Sequence, residues 1–405
     1  MTTVFTPLIT ARQQGWIARR RDLHRHPELG FQEVRTAGIV ADALNRLGLE
    51  VQTGVGQTGV VGLLEGERDG PTVLVRADMD ALPITEENTT DYASQTPGVM
   101  HACGHDAHTT IALAVAELLS ERRAEIAGRV KFIFQPAEEL GRGANAMIDD
   151  GVLEHPTPDV ALGLHLWNVS PVGVLALTAG PFMAGAGDFS IRVEGRGGHG
   201  AAPHETRDPI VAASAIVSAL QTVITRSVPP VERAVISVTS FQAGTAFNVI
   251  PSRAELRGTI RMFRPEVRTL LEARMREVAQ GVAAAHGCTA EVEIRDLMPP
   301  VTNDPAVTER LRRLFRQIRP DLEQVTDMQT MFAEDMAYFL DAVPGTYFFV
   351  GSSNPARGLD YPHHHPRFDF DEAVIPLAVE LMTAAVASYV LPGYTAADEA
   401  AASAD

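Results

Sequence analysis

Short apolar runs alternate with helix-like apolar patterns over the first 170 residues of the chain. Residues 72–75 and 130–134 are almost entirely apolar, as expected of strands buried on both faces of a parallel sheet. Between them, residues 111–119 predict an apolar helix, and residues 160–164 predict a further strand. This strand–helix–strand order predicts an α/β fold in which a mixed, mostly parallel sheet is flanked by helices.

From about residue 188 the predicted order changes to strand, helix, strand, strand, helix, strand. That order is typical of the ferredoxin-like α+β unit, and its length suits an inserted domain. A pair of prolines then marks the return to the first domain. We therefore predict one domain from residues 1–186 and 300–405 and a second, inserted domain from residues 187–299.

Length and charge narrow the possible functions. A chain of 405 residues is long enough for two cores, and its net charge of −17 disfavours nucleic acid or an anionic membrane as a partner. No apolar run is expected to cross a bilayer, and no secretory signal is visible, so we expect a cytoplasmic protein. Two cysteines give no disulfide framework. Residues 394–405 are acidic and low in complexity and are expected to be disordered.

Residues 100–110 concentrate groups that can bind a metal ion. They hold one of the two cysteines and three of the thirteen histidines, and the apolar helix that follows places them at a helix N-terminus, where a thiol pKa is lowered. Cys103 and His105 stand two apart in a glycine-containing turn and can converge on one ion. Taken alone, a buried cysteine among capping polar residues is an equally good interpretation.

Further polar side chains follow three predicted strands. Asp78 and Asp80 come at the carboxyl end of the first, where α/β sheets place their ligand sites. Glu138 and Glu139 follow the second, and extended backbone would point them in different directions, one towards a metal and one towards the substrate. His165 follows the third. Surface carboxylates and a core histidine are the ordinary alternatives, but the recurrence favours a metal site.

Two histidine-containing segments remain open on this evidence. Residues 363–365 are three consecutive histidines, of which we expect only one to act. His199 lies between glycines, which permit close approach of the backbone to a ligand. A flexible turn explains that second segment equally well.

Taken together and in this order, these residues resemble the M20-type amidohydrolases, in the branch with hippurate hydrolases, N-acyl-amino-acid amidohydrolases and auxin-conjugate hydrolases. The resemblance covers nearly the whole chain. Its motifs are His26-Pro-Glu-Leu-Gly-Phe31, Asp78-Met-Asp-Ala-Leu-Pro83, His101-Ala-Cys-Gly-His-Asp-Ala-His108, Gln135-Pro-Ala-Glu-Glu139, Gly197-Gly-His-Gly200, Phe247-Asn-Val-Ile-Pro251 and His364-His-Pro-Arg-Phe368.

The resemblance implies a set of site residues. Glu138 is implied as the general base, and Asp80, with Asp78 as a second candidate, as a group that orients a ligand. His199 and Asn248 are implied to contact the substrate or its oxyanion, and Arg261 the substrate carboxylate. The implied ligands of two divalent metal ions are Cys103, His105, Glu139, His165 and His364.

The resemblance also implies the chemistry and the assembly. A water activated by Mn²⁺, Zn²⁺ or Co²⁺ would attack the amide of a small N-acyl amino acid, with proton transfer through a glutamate. The inserted domain would serve as a lid and a dimerisation domain, giving a homodimer or a tetramer, with a lid histidine acting across subunits.

Three other functions are compatible with parts of this pattern. A metallo-carboxypeptidase or dipeptidase of the same fold is the nearest alternative. A cysteine-nucleophile amidase would use Cys103 with His101, His105 or His108, but it leaves Glu139 and His165 unexplained. A non-catalytic binding protein would be expected to lack the base or the ligands, and this chain has them all.

Overall fold

The computed structural model describes residues 4–394 and divides them into two compact units, each with its own hydrophobic core. The first unit runs through Gly180, over Thr302–Met328 and from Asp335 onward, and the second comprises Pro181–Val301 and Gln329–Glu334.

The second unit differs in extent from the predicted domain of residues 187–299. It starts earlier, and it also takes in the separate segment Gln329–Glu334. That segment is held by backbone hydrogen bonds, from Ala184 N to Thr330 O (3.0 Å) and from Thr330 N to Phe182 O (3.1 Å). No local pattern predicts such a pairing, because its partners are far apart along the chain.

The predicted disordered tail begins at Tyr394. This residue is partly buried, and its ring centroid lies 6.1 Å from that of Phe5. The rest of that tail, residues 395–405, lies outside the described residues.

Strands and helices are numbered here in chain order over residues 4–394. The strands are β1 Glu50–Val55, β2 Gly59–Glu65, β3 Arg68–Asp78, β4 Ala127–Gln135, β5 Val160–Pro171, β6 Val174–Ala176, β7 Gly180–Met183, β8 Gly185–Glu194, β9 Gly198–His199, β10 Ala234–Ala243, β11 Val249–Ile250, β12 Arg253–Met262, β13 Thr289–Met298, β14 Val301–Asn303, β15 Glu323–Val325 and β16 Gly345–Ser353. The helices are α1 Thr6–Arg25, α2 Val34–Arg46, α3 His105–Ser120, α4 Gly143–Asp149, α5 Pro209–Ser227, α6 Pro265–Ala285, α7 Pro305–Ile318, α8 Met336–Ala342 and α9 Val374–Val390.

The first unit contains a mixed eight-stranded sheet in the order β1-β2-β4-β3-β5-β16-β6-β15. Its central strands β4, β3, β5 and β16 are mutually parallel, while β2 joins β4 antiparallel and β6 joins β16 antiparallel. Helices α3 and α9 pack against each other and against β3, and most residues of both helices are buried. The carboxyl ends of β3 and β4 therefore lie side by side at one edge of the sheet, beside the N-terminus of α3.

The second unit contains an antiparallel four-stranded sheet in the order β10-β12-β8-β13. Helices α5 and α6 pack against each other and against this sheet. The chain order β8, α5, β10, β12, α6, β13 is the predicted ferredoxin-like order. A short ribbon of β9 and β11, which the sequence did not predict, extends from it.

The expectation that no apolar run is long enough to cross a membrane is wrong for α5, which by length and composition alone could do so. One such helix is weak evidence, since core helices have the same properties. Here one face of α5, including Ile216 and Leu220, is buried in the core of the second unit. The serine and threonine side chains of its exposed face hydrogen-bond to the helix's own carbonyl groups.

Candidate metal centre

The N-terminus of α3 holds the first two predicted ligands. Gly104 precedes the helix with a φ of 92°, a conformation that favours glycine, and so turns the chain between Cys103 and His105. His105 Nδ1 lies 2.9 Å from Asp80 O and 3.2 Å from Asp80 Oδ1. Cys103 Sγ lies 3.4 Å from His165 Nε2. His105 Nε2 and the Cys103 thiol are therefore the atoms of this turn that could bind a metal ion.

The turn after β4 carries Glu138 and Glu139. Its backbone is not extended as predicted, because Ala137 adopts a φ of 50°. Both carboxylates consequently lie on the same side, each within 4.8 Å of a His105 ring nitrogen. The amide of Glu139 donates to Asp80 Oδ2 (3.0 Å), so Asp80 holds both the His105 ring and the Glu139 backbone.

The other two predicted ligands come from β5 and from the segment before α9. His165 lies within β5 rather than at its end, and its Nδ1 lies 2.6 Å from Leu166 O, which leaves Nε2 facing Cys103. His364 has a φ of 65°, and its Nε2 lies 3.2 Å from Glu139 Oε1. Its neighbour His363 instead lies against the Leu166 carbonyl, at 2.9 Å.

The five predicted ligands therefore meet in one cluster. Cys103, His105 and His165 form one set of three ligand atoms within 4.8 Å of one another, and Cys103, Glu139 and His364 form a second. His105 Nε2 is buried and has no hydrogen-bond partner among the described residues, which fits a ligand atom. A thiolate, imidazoles and a carboxylate are donors that suit divalent transition metals.

Buried acids behind the cluster set the charge of its histidines. Burial opposes charge on His105, but Asp78 and Asp80 outweigh it and raise the pKa of His105 to about 10. Burial also opposes charge on Asp78, yet His105, Arg76 and His108 hold the pKa of Asp78 well below its ordinary value. For His165, burial and the neighbouring His108 and His363 outweigh the opposing effect of Asp78, and they lower its pKa well below the ordinary value.

His108 has a fixed tautomer. The Leu166 amide donates to His108 Nε2 (2.9 Å), so Nδ1 carries the proton that it donates to Asp78 Oδ1 (2.7 Å). Through these two hydrogen bonds, His108 connects β5, which carries His165, to the end of β3. Both of its nitrogens are already engaged, which disfavours it as the base of a cysteine nucleophile.

Sequence reasoning missed two buried arginines next to the site. Arg76 donates to Asp78 Oδ2 (2.7 Å) and to Asp335 Oδ1 (2.9 Å), and Arg20 donates to Asp106 Oδ2 (2.8 Å) beside His105. Arg76 could have been noticed, since it is a charged residue directly after the apolar run of residues 73–75. Arg20 gives no such signal, because charged residues surround it in the sequence.

The remaining predicted residues lie in the second unit. His199 on β9 pairs with Val249 on β11, and Gly200 N donates to Asn248 O (2.8 Å), so His199 and Asn248 share one ribbon. Arg261 lies elsewhere in this unit. On β12, Arg253 pairs with Glu194, which lies near the ribbon. Arg261 is eight residues further along the same strand, so the backbone positions of Arg253 and Arg261 are about 27 Å apart at the usual rise per residue.

Arg261 has no carboxylate partner among the described residues. Its guanidinium is partly buried, donates to the carbonyl of Ile260 (2.9 Å) and contacts the Thr259 hydroxyl. Burial lowers its pKa. Part of its hydrogen-bonding capacity is therefore left for another acceptor.

Comparisons with known proteins give the chain extensive similarity to one family. The sequence profile of peptidase family M20/M25/M40 matches residues 74–388. A thermostable carboxypeptidase of Saccharolobus solfataricus is 41% identical to this chain, over 90% of this chain and 93% of its own length. An N-acetylcysteine deacetylase of Bacillus subtilis is 40% identical, over 89% of this chain and 93% of its own length. A solved Bacillus subtilis structure, described as a dinuclear metal-binding peptidase of the M20 family, has a TM-score of 0.81 at 37% identity, covering 92% of this chain and 97% of that one.

Proposed function

Because the chain belongs to peptidase family M20/M25/M40, we propose that it hydrolyses the amide bond of N-acyl amino acids with the help of two divalent metal ions. The observation that supports this most directly is the cluster of thiol, imidazole and carboxylate groups around His105, with Glu138 beside it. The products would be a carboxylic acid and a free amino acid.

The chain's own residues supply the binding of metal. Cys103, His105, Glu139, His165 and His364 would hold the ions, while Asp80 and the Leu166 carbonyl fix the orientation of two of the imidazole rings. Five ligands cannot give two ions four contacts each, so water or a shared ligand would complete the shells. The donor set does not select one metal, and Mn²⁺, Zn²⁺ and Co²⁺ are all candidates.

Glu138 would handle the proton in the reaction. Bound metal would polarise the amide carbonyl and lower the pKa of a water molecule. The Glu138 carboxylate would accept a proton from the attacking water and return it to the leaving nitrogen. Glu138 suits this role because it is buried and lies next to His105 and Glu139 without being needed as one of the five ligands.

We assign the recognition of the substrate to the second unit. His199 and Asn248 would donate to the oxyanion, and Arg261, which has no acidic partner among the described residues, would bind the substrate carboxylate. An N-acyl amino acid is no longer than about two residues of extended chain. It cannot span the eight residues of β12, about 27 Å, that separate Arg261 from the end of this strand near the ribbon. We therefore propose a homodimer in which the second unit contributes His199 to the partner's site.

Peptide hydrolysis remains a second candidate, because the Saccharolobus solfataricus relative is described as a carboxypeptidase. A substrate panel separates the two functions. N-acetyl-, N-benzoyl- and indole-acetyl-amino acids would be compared with dipeptides, each with Mn²⁺, Co²⁺ and Zn²⁺ in turn. We expect higher kcat/KM on the acyl amino acids, and preference for dipeptides would favour the carboxypeptidase.

The general base is tested by Glu138→Gln. We expect this variant to keep its bound metal but to lose at least ~100-fold in kcat, the usual contribution of a general base. Metal content would be measured by atomic absorption and turnover by release of free amino acid. The matched change Glu139→Gln should instead reduce the metal content. Turnover by Glu138→Gln close to that of the wild type would remove Glu138 from the mechanism.

The cysteine-nucleophile alternative makes a different prediction for the same protein. Cys103 Sγ does lie close to His165 Nε2, as a nucleophile and base would. Hydrolysis by a thiol would survive chelation of metal, whereas the proposed reaction would stop and then recover when metal is added back.

A further inference from the structure

Glu33 is a fully buried carboxylate at the start of α2, and the mechanism above gives it no role. It follows the segment His26–Phe31, whose place in the function was also left open. Glu33 precedes the first residue of α2, where a side chain would ordinarily cap the helix. Glu28 does this instead, since its carboxylate accepts from the amides of Arg35 and Thr36, both at 2.8 Å.

The Glu33 side chain points to the turn that carries the catalytic carboxylates. Its Oε1 accepts a hydrogen bond from the Ala137 amide (2.9 Å), and its Oε2 accepts from the Thr58 hydroxyl (2.5 Å). Gly30, from the same segment, packs against Ala137 so closely that a Cβ there would lie 3.0 Å from Ala137 Cα. The segment therefore supports this turn from one side.

The turn needs such support because of its backbone conformation. Ala137 has a φ of 50°, which is unfavourable for any residue with a Cβ and persists only when surrounding contacts enforce it. Glu138 and Glu139 follow directly, so a relaxation of Ala137 would redirect both side chains. On the other side, Asp80 Oδ2 accepts from the Glu139 amide. Two buried carboxylates thus hold the backbone immediately before and after Glu138.

We propose that Glu33 is a positioning residue that holds the Ala137 turn in its strained conformation and thereby aims Glu138 and Glu139. This role rests on the proposed function of those two residues. Glu33 acts through an acceptor oxygen at the right distance, because its partner at Ala137 is an uncharged amide. It does not touch the substrate.

The test compares four variants of the full-length protein: Glu33→Leu, Glu33→Asp, Glu33→Gln and the control Asp304→Leu, which removes a helix-capping carboxylate from α7. For each, Mn²⁺ affinity is measured by calorimetry on metal-free protein, kcat and KM are measured at saturating Mn²⁺, and folding is checked by thermal unfolding. Leucine removes the acceptor, aspartate keeps the charge but is too short, and glutamine keeps an acceptor oxygen at the original distance.

We expect Glu33→Leu and Glu33→Asp each to lose about 10- to 100-fold in Mn²⁺ affinity and in kcat, as is typical when a group that orients a metal ligand is removed. KM should stay within about threefold of the wild type, since Glu33 makes no substrate contact. Glu33→Gln should retain both affinity and kcat. Asp304→Leu, which removes the carboxylate that accepts from the Val307 amide at the start of α7, should lower the melting temperature without changing either quantity.

Two results would overturn the proposal: Glu33→Asp equal to the wild type, or Glu33→Gln as impaired as Glu33→Asp. If Glu33→Leu does not fold, the comparison of the aspartate and glutamine variants decides. If the wild type itself fails to hydrolyse N-acyl amino acids, the proposed function fails, and the Mn²⁺ affinities alone decide the role of Glu33.

Discussion

At the scale of single residues, His105 is the proposed ligand whose own positive charge most opposes the binding of a metal ion. Asp78 and Asp80 raise its pKa to about 10, so in the metal-free protein at neutral pH it carries a proton. A metal ion must displace that proton to bind Nε2. The same acids that favour the imidazolium also attract the incoming cation, and they orient the ring once the proton has left.

This charge state predicts the pH dependence of metal binding. Protons compete with metal at His105 below its pKa, so affinity should rise as pH rises and should continue to rise towards pH 10. Asp78→Asn removes a carboxylate that raises this pKa, and fewer protons should then be released at pH 7.5. Calorimetry of Mn²⁺ binding in buffers of different ionisation enthalpy counts those protons.

The control for this measurement is Asp321→Asn, on the surface. The Asp321 carboxylate is paired with Arg319, which lowers its pKa to about 2, so this change should leave proton release as in the wild type. Equal proton release by the wild type and by Asp78→Asn would show that Asp78 does not set the charge of His105.

At the scale of elements, the site depends on how tightly the turn after β4 packs against the start of α4. Gly143 is the first residue of α4, and a Cβ at this position would lie 1.5 Å from Pro136 O. Gly143 N also donates to Ala137 O (3.2 Å). The nearest atom belongs to the backbone of the turn, so any larger residue must displace the turn itself.

We therefore expect Gly143→Ala to lower both stability and activity. Overpacking of this kind costs roughly 1–3 kcal/mol, and the displaced turn should reduce kcat and Mn²⁺ affinity together. The matched control is Gly15→Ala in α1, where an added Cβ meets no atom within 4 Å. That change should stabilise the helix by about 0.5–1 kcal/mol without affecting kcat. Chemical denaturation and steady-state kinetics distinguish the two, and equal stability of both variants would contradict the argument.

The sequence predicted the long elements well but not their ends. The pattern of apolar residues places a helix at residues 111–119, whereas α3 begins at His105. The first residues of α3 are buried against polar partners. Arg20 donates a hydrogen bond to the Asp106 carboxylate, and the Thr109 hydroxyl donates to the Asp78 carbonyl. Hydrophobic periodicity cannot detect a turn that is buried by hydrogen bonds and ion pairs.

The arrangement of the candidate site was only partly predictable for the same reason. Ligand types and their order along the chain are visible in the sequence, but the left-handed conformation of Ala137 is not, because alanine rarely adopts it. The extended backbone assumed for Glu138 and Glu139 was therefore wrong. The contribution of Glu33 depends on that conformation and was equally hidden.

At the scale of the whole molecule, the separation of Arg261 from the ribbon that carries His199 has a consequence for assembly. The proposed dimer places His199 of one subunit at the metal centre of its partner. A site would then need Glu138 from one chain and His199 from the other. Two chains that are each inactive for different reasons could restore one intact site between them.

Subunit mixing tests this arrangement. His199→Ala and Glu138→Gln proteins, each nearly inactive alone, would be unfolded together and refolded as a 1:1 mixture. Half of the dimers would be mixed, and one of the two sites in each would be intact, so about a quarter of the wild-type activity should return. His105→Ala mixed with Glu138→Gln should restore nothing, because both residues belong to the same subunit's site. Activity no higher than the sum of the separate variants in the first mixture would show that His199 does not act across subunits.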